Sequence, residues 1–251
     1  MPNPIAFEIG PLAIRWYGIL ISTAILLGTI LVLKEAERFK LNQDKILNLI
    51  IIVLPAAFVG ARLWYVIFNW SYYSAEPSQI IQVWNGGLAI HGGLIGGILA
   101  GYWYSRIAKF HFLQLADIFA PSIILGQAIG RWGNYFNQEA YGYETNLPWA
   151  MYIDGAYRHP TFLYESLWNV GVFVFLLWLR RKKDILVGEV FLAYIALYSL
   201  GRLFIEGLRT DSLMIGPFRT AQLVSLTVII VAIAIIIIRR KAKPTTKKRQ
   251  K

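Results

Sequence analysis

Residues Trp16–Leu33 read WYGILISTAILLGTILVL, eighteen positions without a charged side chain. An α-helix rises about 1.5 Å per residue, so a run of this length crosses most of a hydrocarbon layer roughly 30 Å thick. Six further apolar runs follow, at Ile46–Phe68, Leu88–Tyr104, Leu113–Gly130, Thr161–Leu179, Val187–Ile205 and Ala221–Ile238. Together they predict an all-α integral membrane protein of seven transmembrane helices. The fourth run is interrupted by Asp117 and Pro121, and a proline is tolerated in a span where neighbours satisfy the carbonyl it frees. A composition 57% hydrophobic, with mean hydropathy +0.50, agrees. Residues 1–238 are expected to form a single polytopic membrane domain, and 239–251 a basic, disordered tail.

Charge sets the orientation. Basic residues fall in alternate connections: Lys34, Arg38, Lys40 and Lys45 in the first, Arg106 and Lys109 in the third, and Arg180, Arg181, Lys182 and Lys183 in the fifth. The tail adds eight more from Arg239 to Lys251, whereas Asn69–Gly87 has no lysine or arginine. By the positive-inside rule the basic connections are cytoplasmic, the amino terminus lies outside and the carboxyl terminus inside, which an odd number of spans requires. The net charge of +11 therefore reads as topology and adhesion to anionic lipid. Nucleic-acid binding would need basic groups interleaved with aromatics on one soluble face, and no stretch supplies one. The outer connections Asn69–Gly87 and Trp132–Pro160 are rich in Trp and Tyr, residues that favour the headgroup level. The second is long enough to suggest an ordered, functional segment. The first fifteen residues lack a basic region followed by an apolar one and a cleavage site, so the first span is expected to direct membrane insertion.

Placed on this topology, the polar residues gather toward the outer leaflet. Tyr17 starts the first helix and His91 the third; Arg131, Asn134, Asn137 and Glu139 lie at or beyond the end of the fourth. Tyr198, Arg202, Glu206 and Arg209, spaced four, four and three apart, share one face of the sixth. Intramembrane arginine is expensive, about 2.5–3.5 kcal/mol or more at mid-membrane, so Arg62 and Arg202 should each face a partner; Glu206 is one turn from Arg202. Such a cluster can be a buried ion pair that only fixes packing, but the same depth shared by His91, Arg131 and Asn134 favours a site. Gly92–Gly96–Ala100 and Gly93–Gly97–Gly101 form two rows of small residues, the pattern of close helix packing. At the start of that helix, N–H groups at Gly92 and Gly93 could also meet an anionic headgroup.

The stretch Gly130-Arg131-Trp132-Gly133-Asn134-Tyr135-Phe136-Asn137-Gln138-Glu139-Ala140-Tyr141-Gly142 resembles the signature of the prolipoprotein diacylglyceryl transferase family, G-R-x-G-N-F-x-N-x-E-x-x-G, with Tyr135 for the usual Phe. His91–Gly96 resembles its H-G-G-L-I-G segment and Arg15–Gly18 its R-W-Y-G. His159–Glu165 resembles H-P-[ST]-Q-L-Y-E, with Phe162 replacing Gln, and Tyr198–Arg209 resembles Y-x-x-x-R-x-x-x-E-x-x-R. The resemblance implies an enzyme of the bacterial cytoplasmic membrane, active toward its outer face. Its substrates would be phosphatidylglycerol and precursor signal peptides carrying a lipobox cysteine. The cysteine sulfur would displace glycerol phosphate and form a thioether.

That chemistry needs a deprotonated thiol and a stabilised leaving phosphate. Arg131 and Arg202 are the candidates for the phosphate, because guanidinium offers paired donors to its oxygens. Asn134 would bind glycerol hydroxyls or orient Arg131, and Glu139 and Glu206 would position arginines. His91 is the candidate base, since histidine titrates near neutral pH; its bland reading is an interfacial histidine that orients lipid. Tyr17 and Tyr198 would bind lipid or relay a proton. Gly92 and Gly93, through their N–H groups, and Gly142 of the signature complete the phosphatidylglycerol set. The absence of cysteine excludes disulfides and a thioester on the chain and agrees with direct transfer. No metal or organic cofactor is expected. A transporter would place its ionisable residues near mid-membrane, often in internal repeats, and neither feature is evident. A non-catalytic lipid-binding protein would explain the aromatics and the tail but not the polar convergence.

Overall fold

The structure is a computed structural model that describes residues 2–10 and 12–242. Hairpin β1 (Ile5–Ile9)–β2 (Leu12–Arg15) runs straight into α1 (Trp16–Arg38). There follow α2 (Gln43–Phe68), the short α3 (Trp70–Ala75), α4 (Ile90–Ala108) and α5 (Phe112–Asn137). Hairpin β3 (Met151–Ile153)–β4 (Ala156–Arg158) then precedes α6 (Thr161–Leu179) and α7 (Glu189–Ile205). Hairpin β5 (Met214–Ile215)–β6 (Phe218–Arg219) leads into α8 (Thr220–Ala242). The three small hairpins are additions to the helical expectation. Among the described residues, six helices are long and apolar enough to cross a membrane: α1, α2, α5, α6, α7 with its 3-10 extension to Leu208, and α8. The third predicted span, α4, forms but falls short in hydropathy, because five glycines, His91 and Arg106 dilute its aliphatic residues. Exposed Leu26, Ile51, Val174 and Val224 show apolar side chains facing outward, as helices in lipid do.

Helix ends differ from the sequence reading where polar residues hold the backbone. Helix α5 continues past Gly130 to Asn137, so Arg131 and Asn134 stand on its last turns. Helix α8 continues through Arg239 and Arg240 to Ala242, where cations favour the negative end of the helix dipole. The rest of the basic tail, 243–251, lies outside the described residues.

The chain divides into two compact units. In the first, residues 32–115, helices α2 and α4 meet through glycine. A Cβ on Gly60 would lie 2.4 Å from Gly92 O, one on Gly92 2.2 Å from Gly60 O, and one on Gly96 2.5 Å from Ala56 O. The second row is looser: Cβ atoms on Gly93, Gly97 and Gly101 would find nothing nearer than 3.4, 3.5 and 3.7 Å. Buried Arg62, on α2, meets backbone carbonyls rather than an acid. Its Nε donates to Ile80 O (2.8 Å), Nη1 to Gly86 O and Gly87 O (2.6 and 2.8 Å), and Nη2 to Gln79 O (2.6 Å). Gly86 and Gly87 sit at φ +90° and +78°, and a Cβ on Gly87 would strike the guanidinium. Arg62 thus holds the whole α3–α4 connection. Arg62→Met is expected to lower stability by at least about 3 kcal/mol, since hydrogen bonds from a charged group are worth about 1.5–3 kcal/mol each. New proteolytic cutting between Gln79 and Gly87, and a lower melting temperature in detergent, are the readouts.

The second unit comprises residues 1–31 and 116–251. Helix α1 packs on α5: Ser122 Oγ donates to Gly28 O (3.1 Å), Trp16 stacks on Phe136 at 4.9 Å, and a Cβ on Gly133 would lie 2.3 Å from the Tyr17 ring. Asp117, which interrupts the fourth apolar run, accepts N–H bonds from Gly188 and Phe191 at the start of α7. It fills the role of a cap. Ser166 on α6 donates to Ala128 O (2.9 Å) and accepts from Trp132 Nε1 (3.2 Å). A Cβ on Gly201 of α7 would lie 2.3 Å from the Trp168 ring, and Trp168 Nε1 donates to Leu197 O (2.9 Å). Glycine and indole therefore bring α6 and α7 together at the level of the site.

Candidate active site

The site is built around one buried carboxylate, Glu165, in the second turn of α6 and only 4% exposed. Arg131 from α5 reaches its Oε2 with Nη2 at 2.6 Å. Arg202 from α7 reaches Oε1 with Nη1 at 3.1 Å, and Arg209, just past the 3-10 turn that ends α7, reaches the same oxygen at 3.3 Å. Glu206, 2% exposed, lies between the last two: its Oε2 is 2.7 Å from Arg202 Nη2, as an ion pair, and 3.9 Å from Arg209 Nε. Asp211 takes the fork of Arg209 at 2.9 and 2.6 Å. Burial opposes charge on both partners, but the paired hydrogen bonds and opposite charges outweigh it. Asp211 is held below the usual carboxylate range and Arg209 above its ordinary value. Arg219 closes the cluster, its Nη1 donating to Glu206 O (2.7 Å) and Arg209 O (2.8 Å).

A second layer extends from Arg131. Its Nη1 lies 3.5 Å from Asn134 Oδ1, and Asn134 Nδ2 donates to Glu139 Oε1 at 3.0 Å, as does Asn137 Nδ2 at 3.1 Å. Glu139 sits between Gln138 and Ala140, at φ +53° and +56°, a conformation that residues other than glycine seldom adopt. That turn folds the chain back so that Glu139 N–H donates to Asn134 O (3.0 Å). Glu139 therefore acts on Arg131 only through Asn134.

Backbone pairing locks these pieces. Gly142 N–H donates to His159 O (3.1 Å), His159 N–H to Tyr143 O (3.0 Å), Tyr143 N–H to Leu208 O (2.9 Å) and Thr210 N–H to Tyr141 O (3.3 Å). Residues 141–145 are thus a short ribbon between the start of α6 and the end of α7. A Cβ on Gly142 would lie 2.7 Å from His159 Cβ and 2.9 Å from Leu208 O, so the glycine of the sequence signature is what lets three backbones meet. Phe162, standing for the usual Gln, is buried against Trp132 and Tyr135, with ring centroids at 5.4 and 5.0 Å.

Of the residues singled out in the sequence, Arg131, Asn134, Glu139, Gly142, Arg202 and Glu206 come together in this unit. Tyr17 packs on Gly133 of the same helix end, half exposed. Tyr198 is one turn before Arg202, its ring 6.3 Å from Tyr194. His91, Gly92 and Gly93 belong to the other unit. There His91 is exposed in the first turn of α4 with its ring 6.3 Å from that of Trp64, and Gly92 is buried against Gly60 and Trp64. Sequence reasoning passes over Glu165, Asp211 and Arg219 as site residues. Glu165 carries a usable signal, because a lone acid inside a predicted span needs a partner as much as Arg202 does.

Apolar helices long enough to span a bilayer, three of them meeting at a buried arginine–carboxylate cluster, define a multi-pass membrane protein with an arginine-rich polar site. The chain belongs to the prolipoprotein diacylglyceryl transferase family, whose sequence pattern matches residues 4–238. It is similar to the phosphatidylglycerol–prolipoprotein diacylglyceryl transferase of Clostridioides difficile (strain 630), 54% identical over 222 residues that cover 88% of this chain and 89% of that one. The proteins of the same name from Bacillus licheniformis and Listeria monocytogenes serotype 4a are 52% and 49% identical. They cover 95% of this chain, and 93% and 90% of their own lengths.

Proposed function

We propose that the arginine cluster is the seat of the reaction this family carries out, transfer of the diacylglyceryl group from phosphatidylglycerol to a prolipoprotein, the first step of lipoprotein maturation. The observation that carries the assignment is the meeting of Arg131 and Arg202 on Glu165, each about one-fifth exposed. Their remaining donors are available to phosphate oxygens. The thiolate sulfur of a lipobox cysteine attacks the glycerol carbon that bears the phosphate ester. A carbon–sulfur bond forms as the carbon–oxygen bond breaks, and the electron pair leaves on glycerol phosphate. Arg131 and Arg202 hold and neutralise that phosphate, and Asn134 orients Arg131 or takes the glycerol hydroxyls. Glu206 fixes Arg202, and Glu139 fixes Asn134. Tyr17 and Tyr198 line the lipid or relay a proton. His91 takes the thiol proton, with the N–H of Gly92 beside it; that of Gly93 already donates to Ala89 O (3.2 Å). This role rests on imidazole chemistry and on the H-G-G motif.

In this reading α4, third in chain order, completes seven spans of a single polytopic domain, the amino terminus is outside, and the basic connections face the cytoplasm. The active site and the segments 69–87 and 138–160 then lie at the outer face of the bacterial cytoplasmic membrane. The test uses liposomes holding purified protein, glycerol-labelled phosphatidylglycerol and a peptide with one membrane-adjacent cysteine. A diacylglyceryl mass gain is expected, absent with a Cys→Ser peptide and with Arg131→Ala enzyme. In His91→Gln, transfer is expected to fall about 10²-fold or more, the usual scale of general base catalysis, and to recover partly at high pH. Well-folded protein giving no mass gain would overturn the assignment.

A further inference from the structure

Charge in the cluster is balanced before any substrate binds. Arg131, Arg202 and Arg209 pair with Glu165, Glu206 and Asp211, three cations against three anions. At its centre, Glu165 takes Arg131 on one oxygen and Arg202 with Arg209 on the other. Two anionic oxygens spread across separate guanidinium groups are also what a phosphate would present. Glu165 thus engages the same cations that the reaction requires.

The reaction makes this a problem of release. Phosphatidylglycerol carries one negative charge at its phosphodiester. The product, glycerol phosphate, is a monoester whose second proton leaves near pH 6, so it departs as close to a dianion. A cationic site built for the monoanion would hold the dianion more tightly and stall. We propose that Glu165, besides positioning the arginines, competes with the product phosphate for Arg131 and Arg202 and so drives release. This rests on the reading of Arg131 and Arg202 as the phosphate-binding pair.

Glu165→Gln keeps the size of the side chain and removes its charge. In the transfer assay it is expected to lower KM for phosphatidylglycerol and to lower kcat, while added glycerol phosphate inhibits at about tenfold lower concentration, the scale of one lost charged hydrogen bond. Glu165→Asp keeps the charge and is expected to keep wild-type inhibition at reduced kcat. A merely structural residue would change melting temperature and the amount of active protein but not inhibition relative to KM. Unchanged inhibition in folded Glu165→Gln overturns the proposal. Wild-type protein gives an independent reading that needs no variant. Glycerol phosphate should inhibit no more tightly than phosphatidylglycerol binds, and a dianion held tenfold tighter than the substrate also overturns it. Arg202→Lys distinguishes failure of the binding pair from failure of the release role. If it leaves glycerol phosphate inhibition intact, the phosphate-binding pair is wrong; if it weakens inhibition while Glu165→Gln does not alter it, only the release role falls.

Discussion

Arg202→Ala is expected to abolish measurable transfer, a loss of about 10³-fold or more, with folded protein still recoverable at reduced yield. Removing one preorganised donor from a developing anion costs about 10²–10³ in kcat, and Arg202 does more than donate. It is the cation nearest to Glu206 and one of three on Glu165. Among the described residues, truncation leaves Glu206, 2% exposed, with only Arg209 at 3.9 Å as a paired cation. Breaking a buried pair by removing one partner costs about 3–5 kcal/mol, so both activity and stability should fall. Arg202→Lys restores charge but not a planar fork that can serve Glu165 and Glu206 together, and is expected to recover stability well ahead of activity. Single-turnover transfer and thermal unfolding in detergent, measured on the same preparations, separate the two losses. Near wild-type turnover in Arg202→Ala would remove this residue from the chemistry.

Gly96→Ala and Gly97→Ala are expected to behave oppositely, although the two glycines are neighbours on one helix. A methyl on Gly96 would lie 2.5 Å from Ala56 O and 3.3 Å from Gly60 Cα, and backbone cannot swing aside. Helices α2 and α4 would have to separate, and overpacking of this kind costs about 1–3 kcal/mol, with more where backbone must shift. At Gly97 the nearest atoms are Ala57 Cβ at 3.5 Å and Val53 Cγ1 at 3.7 Å, an ordinary contact, and alanine is intrinsically favoured over glycine in a helix by about 1 kcal/mol. Gly97→Ala should therefore be neutral or stabilising, and Gly96→Ala should lower yield and melting temperature sharply. Equal behaviour of the two variants would show that the rows do not pack as described.

Much of the fold is legible in the chain because the membrane simplifies the problem. The apolar run Thr161–Leu179 matches α6 to the residue, α1 begins where its run begins, and α2 ends where its run ends. The rule that intramembrane charge must be paired leads directly to Arg202–Glu206. For Arg62 the same rule holds in a different form, because its partners are carbonyls of the following connection rather than an acid. Hydropathy ends α5 too early because polar side chains there read as leaving the helix, whereas ion pairing to Glu165 and the turn at Gln138 keep them on it. The backbone ribbon at 141–145 leaves no trace in hydropathy or spacing, since its residues pair through main-chain atoms with partners far along the chain. Only Gly142 hints at it.

That ribbon has a consequence for how the protein rides its bilayer. A helix answers a thicker or thinner membrane chiefly by changing its tilt. The end of α5, the start of α6 and the end of α7 are stitched together by main-chain hydrogen bonds at Gly142–His159 and Tyr143–Leu208. Tethered this way, the three rods can splay only at their far ends, like tent poles lashed at the apex. Arg131 and Arg202 ride close to the lashing, where leverage is least. Changes in acyl-chain length that come with growth temperature would then be taken up away from the arginine cluster.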